Sequence, residues 1–135
     1  MKDLYSNVLL KQSLLPATRT NGTVNGSAVD RKEDGCDYQA VLVLVTAGTI
    51  TDGTHTIEVQ DSDDGSNFTA VADAFLQGAE PAIAAADDNK DYAIGYTGLK
   101  RYVRVAVTTA GATTGGVFGA AVLLGSPAVA PVVRN

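Results

Sequence analysis

The sequence predicts an all-β fold, an antiparallel β-sandwich of the jelly-roll or immunoglobulin-like type with extended N- and C-terminal arms. Three features favour it: segments in which apolar and polar residues alternate, segments that are apolar throughout, and turns rich in Gly, Asn and Asp between them. The chain has 135 residues, of which 45% are hydrophobic, enough for one core but not for two. We therefore expect an N-terminal arm over 1–20, one sandwich domain over 21–125 and an extended tail over 126–135.

The first half of the domain predicts three strands. Residues 23–29 form a short β-rich run bounded by Gly and Asp residues. Residues 40–45 are apolar at every position, which favours a central strand covered on both faces. Residues 54–61 alternate and place three side chains on a core face. Because the opposing sheet covers only one face of 40–45, a loop, an arm or another subunit must cover the other.

The second half completes a predicted total of seven or eight strands. Residues 67–71 and 92–96 are short β-rich runs, and residues 82–86, after a proline, are compatible with one helical turn. Residues 101–108 alternate, with three valines on the core face and an amphipathic face that is free to meet solvent or a neighbour. Residues 117–124 are apolar on both faces and are expected in a central position.

Two Gly- and Thr-rich segments, 46–53 and 109–116, have the same residue at five of eight positions. Each follows an apolar strand and precedes another strand, so both are predicted to be hairpin connections. The strands around them do not match, which favours shared loop composition over duplication.

The two ends of the chain are apolar but lack a strand-like period. Residues 1–20 carry two adjacent pairs of leucines, and residues 126–135 are apolar and punctuated by proline, which favours extended backbone. Apolar arms on a folded domain dock on their own core or on a partner. The candidate interface residues are Leu9, Leu10, Leu14 and Leu15 in the arm, Tyr102, Arg104 and Phe118 on the strands, and Val129 and Val132 in the tail.

The acidic turn 61–68 concentrates carboxylates between two strands. Its oxygens at alternate positions before Gly65 resemble a calcium loop, but the loop lacks the downstream Glu that such a site requires. Asp-Gly between alternating strands is a strong hairpin signal. We therefore interpret the turn as a hairpin tip, with Phe68 returning the chain to the core.

No catalytic, metal or cofactor site is predicted. The single histidine, His55, lies on an apolar strand face without a third residue to orient it, so it is interpreted as structural. Adjacent Asp87 and Asp88 point apart in extended backbone and cannot share a proton. Lone Cys36 cannot form an internal disulfide, and a Gly-rich phosphate loop with Lys is absent. We therefore expect that the protein is not an enzyme.

The charge balance restricts the partners. The net charge is −5, and the basic cluster of Lys100, Arg101 and Arg104 suits ion pairs at a protein interface better than phosphate binding. We therefore expect no nucleic-acid partner. No apolar run approaches the ~18 residues of a membrane span, and the first residues lack a secretory pattern. The expectation is no membrane association and a product made and kept in a cytoplasm.

Four segments, taken in order, resemble a known group of proteins. They are GSAVD at 26–30, TDGTHT at 51–56, VQDSDDGSNF at 59–68 and IGYTGLKRYVR at 94–104. Together they resemble small head decoration (cement) proteins of tailed bacteriophages and prophages. The resemblance implies a structural protein that binds the major capsid protein on the outside of an assembled head, as a homo-oligomer and most commonly a homotrimer, and stabilises the head. It also implies location on the capsid surface of the virion after synthesis in the bacterial host cytoplasm.

Two other functions remain open at this point. A carbohydrate-binding sandwich displayed on a virion would share the Asp-Gly hairpin, although sugar sites usually stack a ring on an aromatic and the chain has no Trp, five Tyr and three Phe. Another head or tail structural component, such as a head-completion or tail-tube protein, would form rings of different symmetry.

Overall fold

The structure is a computed structural model that describes residues 3–32, 36–128 and 130–131. Two antiparallel sheets pack face to face, which confirms the predicted β-sandwich. The strands are β1 (Val8–Arg19), β2 (Gly22–Asn25), β3 (Val29–Asp30), β4 (Tyr38–Ile50), β5 (Thr54–Ser62), β6 (Thr69–Ala70), β7 (Leu76–Gln77), β8 (Ala82–Ile83), β9 (Asp91–Tyr96), β10 (Tyr102–Ala110) and β11 (Gly116–Pro127). Short 3₁₀ helices cover Asp73–Phe75 and Ala85–Asp87.

The sheets differ in their strand order. Sheet A contains five strands in the order β1-β11-β4-β9-β7. Sheet B follows the order β2-β10-β5-β6, with β3 also paired to β10 and β8 also paired to β5. The two segments predicted to be central, 40–45 and 117–124, lie within β4 and β11, which are neighbours inside sheet A.

The core lies between the sheets and follows the alternation of the sequence. In β10, Val103, Val105 and Val107 point inward and are at most 1% exposed, as the period-two pattern predicts. Ile57 and Val59 of β5 are buried beside them. Sheet A contributes Val41, Val43, Val45, Phe118, Ala120, Val122 and Leu124. These apolar surfaces leave water on folding and provide the main driving force for the sandwich.

The N-terminal segment is a strand and not an arm, which corrects the prediction for residues 1–20. Residues Val8–Arg19 form β1 and pair with β11 along most of their length. The register shifts between Gln12 and Leu14, and again between Leu14 and Ala17. Each shift is a bulge that changes which residues face the core, so the leucines of β1 lack a regular period.

Three smaller expectations are also corrected. The helical turn expected over 82–86 lies further along the chain, because Ala82–Ile83 is strand β8 and a 3₁₀ turn covers Ala85–Asp87. Phe68 is half-buried at the surface beneath the guanidinium of Arg104 and does not return to the core. The C-terminal tail begins later than predicted, since β11 continues to Pro127.

In the part of the chain that the structure describes, no helix has the length and apolar character to cross a bilayer.

The connections gather at the two ends of the sandwich, which we name after one residue each. The Asp52 end holds the connections 20–21, 51–53, 84–90 and 111–115, and each of them passes from one sheet to the other. The Leu99 end holds residues 3–7, 63–68, 71–75 and 97–101. The segments 46–53 and 109–116 were predicted to close hairpins, and this is wrong: each leads from a strand of one sheet to a strand of the other.

Candidate functional site

The outer face of sheet A is apolar across its central strands. Pairing in register places Leu10, Leu123 and Leu42 side by side in one row across β1, β11 and β4. Ala121 and Leu44 lie together in the next row. Leu10 is 55% exposed, and the other four are partly exposed. Small residues of β9 extend both rows, which carry no charged side chain. The structure therefore leaves the second apolar face of β4 and β11 open to a partner.

A shallow depression lies in this face. It has a volume of about 400 Å³, and its lining includes Leu10, Leu44 and Val117. Gly119 lies next to the bulged part of β1, where a Cβ atom would stand 3.1 Å from the Pro16 ring. Such a contact is tighter than ordinary packing allows, so glycine lets β1 approach β11 closely here. The depression suits an apolar side chain from another protein surface.

The outer face of sheet B has the opposite character. Arg104 Nε donates a hydrogen bond to Gln60 Oε1 at 2.7 Å, and Gln60 Nε2 donates to Glu58 Oε1 at 2.6 Å. The hydroxyls of Thr23 and Thr108 lie 3.2 Å apart on neighbouring strands. These lateral contacts satisfy polar groups on a face that meets water. The two sheets of one sandwich thus present one polar and one apolar outer face.

The predicted interface residues separate into four groups. Leu10 and Leu15 are exposed on β1, at 55% and 63%. Tyr102 and Arg104 are half-buried on the outer face of sheet B. Val129 and Val132 lie outside the described residues. The remaining three, Leu9, Leu14 and Phe118, are at most 5% exposed in the core, which corrects their assignment to an interface: the bulges of β1 and the inward register of β11 use them inside the domain.

His55 is a structural residue of the core, as the sequence predicts. It is fully buried, and its ring meets the Phe118 ring edge-on with the centroids 5.1 Å apart. Nε2 lies 3.1 Å from the Asp52 carbonyl oxygen, which only accepts, so Nε2 carries the proton. Nδ1 then accepts from the Thr109 hydroxyl at 2.8 Å. Both ring nitrogens are therefore engaged by hydrogen bonds within the fold.

The acidic turn is the tip of a hairpin, and its Asp64 carboxylate accepts hydrogen bonds from residues of the same loop. The strands on either side, β5 and β6, pair directly, which confirms the hairpin prediction. Asp64 accepts hydrogen bonds from the backbone N–H groups of Asn67 and Ser66 and from the Ser62 hydroxyl. These bonds hold the pKa of the Asp64 carboxyl well below its usual range. In the described residues, no group of three or more His, Cys, Asp or Glu side chains is arranged to hold a metal ion.

Asp52 fastens the two similar segments, 46–53 and 109–116, to each other. Its Oδ1 accepts backbone N–H groups from Thr113 and Thr114 at 3.1 Å and from Gly115 at 2.6 Å. The bonds from Gly115 and Thr114 are the main reason that the pKa of Asp52 is lowered. The Asp52 carboxylate therefore joins two connections by hydrogen bonds and has a structural role.

A buried polar network at the Leu99 end has no signature in the sequence. The guanidinium of Arg31, 7% exposed, donates to carbonyl oxygens, at 2.8 Å to Gly98 and 3.2 Å to Lys100 on the 97–101 loop. On the other side it reaches the carbonyls of Tyr38 and Gln39 at 3.2 and 3.0 Å. One side chain thus joins the loop after β9 to the start of β4.

Tyr96 links this network to a buried carboxylate. Its hydroxyl donates to Asp61 Oδ2 at 2.7 Å and accepts the backbone N–H of Lys100 at 3.3 Å. Burial, and then the bond to Asp61, raise the pKa of Tyr96 well above its usual value. Lys100 Nζ lies 3.6 Å from Asp61 Oδ1 and balances its charge. Among the described residues, no buried side-chain nitrogen or oxygen of this network lacks a hydrogen-bond partner.

Comparison with known proteins does not assign the chain to a family. No protein-family model matches the chain, and no curated protein matches its sequence. The function proposed below rests on the geometry together with the resemblance of four sequence segments.

Proposed function

We propose that this chain is a structural decoration protein that binds the outside of a tailed-phage head as a closed homo-oligomer, a trimer in the form we favour, and stabilises the shell of major capsid protein. The observation that carries this proposal is the pair of uncharged, mainly apolar rows on the outer face of sheet A, opposite the polar outer face of sheet B. The two rows of this face described above have no charged side chain and one polar side chain on β1, Gln12, so they offer mainly apolar area for burial. That is what a reinforcing protein requires.

The size of the face supports a role in protein contact. Four strands about 4.8 Å apart and two rows about 6.8 Å apart along the strands give roughly 19 by 14 Å, or about 260 Å². An apolar patch of a few hundred Å² is often a functional surface of a folded domain. Because stable interfaces bury about 1,200–2,000 Å² in total, the face supplies the dry centre and border residues such as Leu15 complete the contact.

We assign this face to contacts between copies of the chain. A symmetric oligomer closes on itself, whereas an open contact through an apolar face would polymerise free protein before it reached a shell. The net charge of −5 keeps free copies soluble and away from packaged nucleic acid. The four segments that resemble decoration proteins favour three copies.

The oligomer is tested by changing the face and measuring mass in solution. Leu44→Lys buries a cation without a partner in the contact, so its association is expected to weaken at least about 100-fold and the chain to become monomeric at micromolar concentration. Leu10→Lys, at a more exposed position on an edge strand, provides a second variant with less risk to the fold. Thr56→Lys adds the same charge on the outer face of sheet B and is expected to keep the mass of the unmodified protein.

The function is tested with heads of the phage or prophage that encodes the chain, assembled without it. Saturating purified protein is expected to bind these heads and to raise the temperature at which they open. Absence of binding at saturation would reject the proposal. A hexameric or larger ring would point to a head-completion or tail component, and specific hits on a glycan array would point to carbohydrate binding.

A further inference from the structure

One segment of the chain, residues 69–83, covers the outer edge of β5 in sheet B. Within this segment, β6 pairs near one end of β5 and β8 pairs near the other end. Two further backbone bonds, from Ile57 to the Pro81 carbonyl and from Val71 to the Val59 carbonyl, are each 3.0 Å long. Because an uncovered strand edge pairs readily with other chains, this segment protects the edge of sheet B.

The middle of the segment, residues 72–80, crosses to the edge of sheet A, and we call it the strap. There β7 pairs with β9, and the Thr97 N–H donates to the Phe75 carbonyl at 2.8 Å. Gly78 turns the strap back toward sheet B with a φ of 86°, a conformation that favours glycine. The strap therefore connects the edges of the two sheets on one side of the sandwich.

The Glu80 side chain holds the returning end of the strap against β5. Its Oε2 accepts the backbone N–H of Val59, which lies between the positions of β5 that pair with β8 and with β6. The carboxyl oxygen thus replaces the carbonyl that a paired strand would provide. None of the residues 72–80 is buried, so the strap gains little from apolar contacts. Its closure depends on hydrogen bonds, which is typical of segments that open locally.

The charged groups around Glu80 oppose its ionisation. Burial raises the pKa of Glu80 above its usual range, and the like charges of Glu58 on β5 and Asp73 in the strap act in the same direction, against the hydrogen bond from Val59. The guanidinium of Arg104 is joined to Glu58 through the amide of Gln60. Glu80 is therefore a half-buried carboxyl that faces two other carboxyls at the point where the strap meets β5.

We infer that the strap is a pH-dependent closure, which is held firmly when the Glu80 carboxyl is protonated and opens more often when that carboxyl carries a charge. A protonated carboxyl still accepts the Val59 N–H through its carbonyl oxygen. Protonation also removes the cost of a partly buried charge beside two like charges. Opening exposes the backbone edges of β5 and β9, so the charge on one side chain controls access to an edge of each sheet.

The direction of the pH dependence follows from the two states of the strap. In the open strap Glu80 meets water, and its pKa returns to the ordinary value of 4.5. In the closed strap the pKa is higher, so the closed form binds the proton more tightly. Closure is therefore fully favoured below about pH 4.5 and weakens as the pH rises through the pKa of the closed form.

The test measures hydrogen exchange of single amides by NMR between pH 5 and pH 8, expressed as protection relative to the intrinsic rate at each pH. The amides of Val59 and Thr97 report on the strap, because their acceptors, Glu80 and Phe75, belong to it. Their protection is expected to fall about threefold or more from pH 5 to pH 8. Gly26 donates to the Val105 carbonyl at the opposite edge of sheet B, and its protection is expected to stay constant.

Three variants isolate the carboxyl. Glu80→Gln keeps an oxygen acceptor of similar size without charge, so protection of Val59 at pH 8 is expected to match that of the unmodified protein at pH 5, with no pH dependence. Glu80→Ala removes the acceptor and is expected to lower protection of Val59 about 10-fold at every pH. Asp91→Asn removes an exposed carboxylate on β9 and should retain the pH dependence of the unmodified protein.

Each outcome decides the inference without use of phage heads, so it stands or fails separately from the proposed function. The inference is overturned if Glu80→Gln keeps the pH dependence of the unmodified protein, or if Glu80→Ala leaves the protection of Val59 unchanged. It is also overturned if Gly26 changes in parallel with Val59 and Thr97, because the whole domain and not the strap would then be opening.

Discussion

Arg31 illustrates how one side chain organises a loop that contains no regular structure. Its guanidinium is buried and directs its donors at four backbone carbonyls. Arginine suits this position because its planar fork presents five donors with a fixed geometry. The ring of Tyr96 lies 5.8 Å away and adds a cation–π contact. The position therefore depends on the shape of the guanidinium as well as on its charge.

Removing this guanidinium is expected to destabilise the domain. Arg31→Ala leaves several buried carbonyls without donors, at a cost on the order of 3 kcal/mol in the free energy of unfolding. Arg31→Lys keeps the charge but offers one donor group in place of the fork, and a loss of about half that size is expected. Urea unfolding measures both variants. Lys32→Ala, at the exposed neighbouring position, is the control and should change the unfolding free energy by less than about 0.5 kcal/mol.

The role of a residue can be predicted from the sequence when it depends on the residue type and its sequence neighbours. His55 could be assigned a structural role because a lone histidine on an apolar face has few other uses, and the acidic turn could be assigned to a hairpin because Asp-Gly favours one. Arg31 and Glu80 could not be found in this way. The partners of Arg31 are backbone carbonyls far away in the sequence, and Glu80 accepts from Val59, 21 residues earlier in the chain.

At the scale of elements, β11 shows two adjacent leucines with opposite environments. Leu124 is fully buried between the sheets, whereas Leu123 belongs to the outer face of sheet A and is partly exposed. We expect Leu124→Ala to lower the unfolding free energy by about 2–5 kcal/mol, because it opens a cavity in the core. Leu123→Ala should cost about 1 kcal/mol or less in the monomer, since this side chain buries far less area.

The losses in unfolding free energy for Leu124→Ala and Leu123→Ala are measured by denaturant unfolding at concentrations where the chain is monomeric. A large loss for Leu123→Ala under these conditions would mean that the outer face is covered by the chain itself. Under the proposed contact between copies, Leu123→Ala also removes area from that contact, so its loss is expected to grow with protein concentration. The difference between dilute and concentrated samples therefore reports on the face that a partner covers.

Strands with clean alternation could be predicted, and the strand with bulges could not. The pattern of β5 and β10 identified both their positions and their core faces, because a period of two follows directly from the geometry of a strand. In β1 the two register shifts interrupt this period, so its leucines resembled an arm. Central β4 and β11 were recognised by their two apolar faces, and the open outer face of sheet A follows from the same pattern.

At the scale of the whole molecule, several carboxylates tie loops together and make stability dependent on pH. Hydrogen bonds lower the pKa of Asp64, Asp52 and Asp87, and the pairing with Arg101 lowers the pKa of Asp30. A group whose folded-state pKa is depressed contributes stability above its unfolded value, near pH 4, and loses it as the pH falls through the folded pKa. The protein is therefore expected to lose stability progressively below about pH 4.

The contribution of Asp52 is measured by comparing urea midpoints of Asp52→Asn and the unmodified protein between pH 7 and pH 2. Asp52→Asn is expected to lower the midpoint at pH 7, and the difference should shrink as the pH falls and the native carboxylate becomes protonated. Asp63→Asn, in the exposed part of the acidic turn, should follow the unmodified protein throughout. A constant difference at every pH would show that Asp52 acts through packing and not through its charge.

The bonds at the Asp52 end have a mechanical consequence. The four connections there cross between the sheets, and they are fastened to one another: Asn21 accepts the Ala112 N–H, Asp52 holds 113–115, and Asp88 accepts the Ile50 N–H. Two sheets joined this way at one end resist sliding past each other. When force is applied at the Leu99 end or across the outer face of sheet A, the two sheets are therefore expected to move together as one rigid unit. This rigidity depends on three side chains, Asn21, Asp52 and Asp88, so exchanging them is expected to loosen this end of the sandwich.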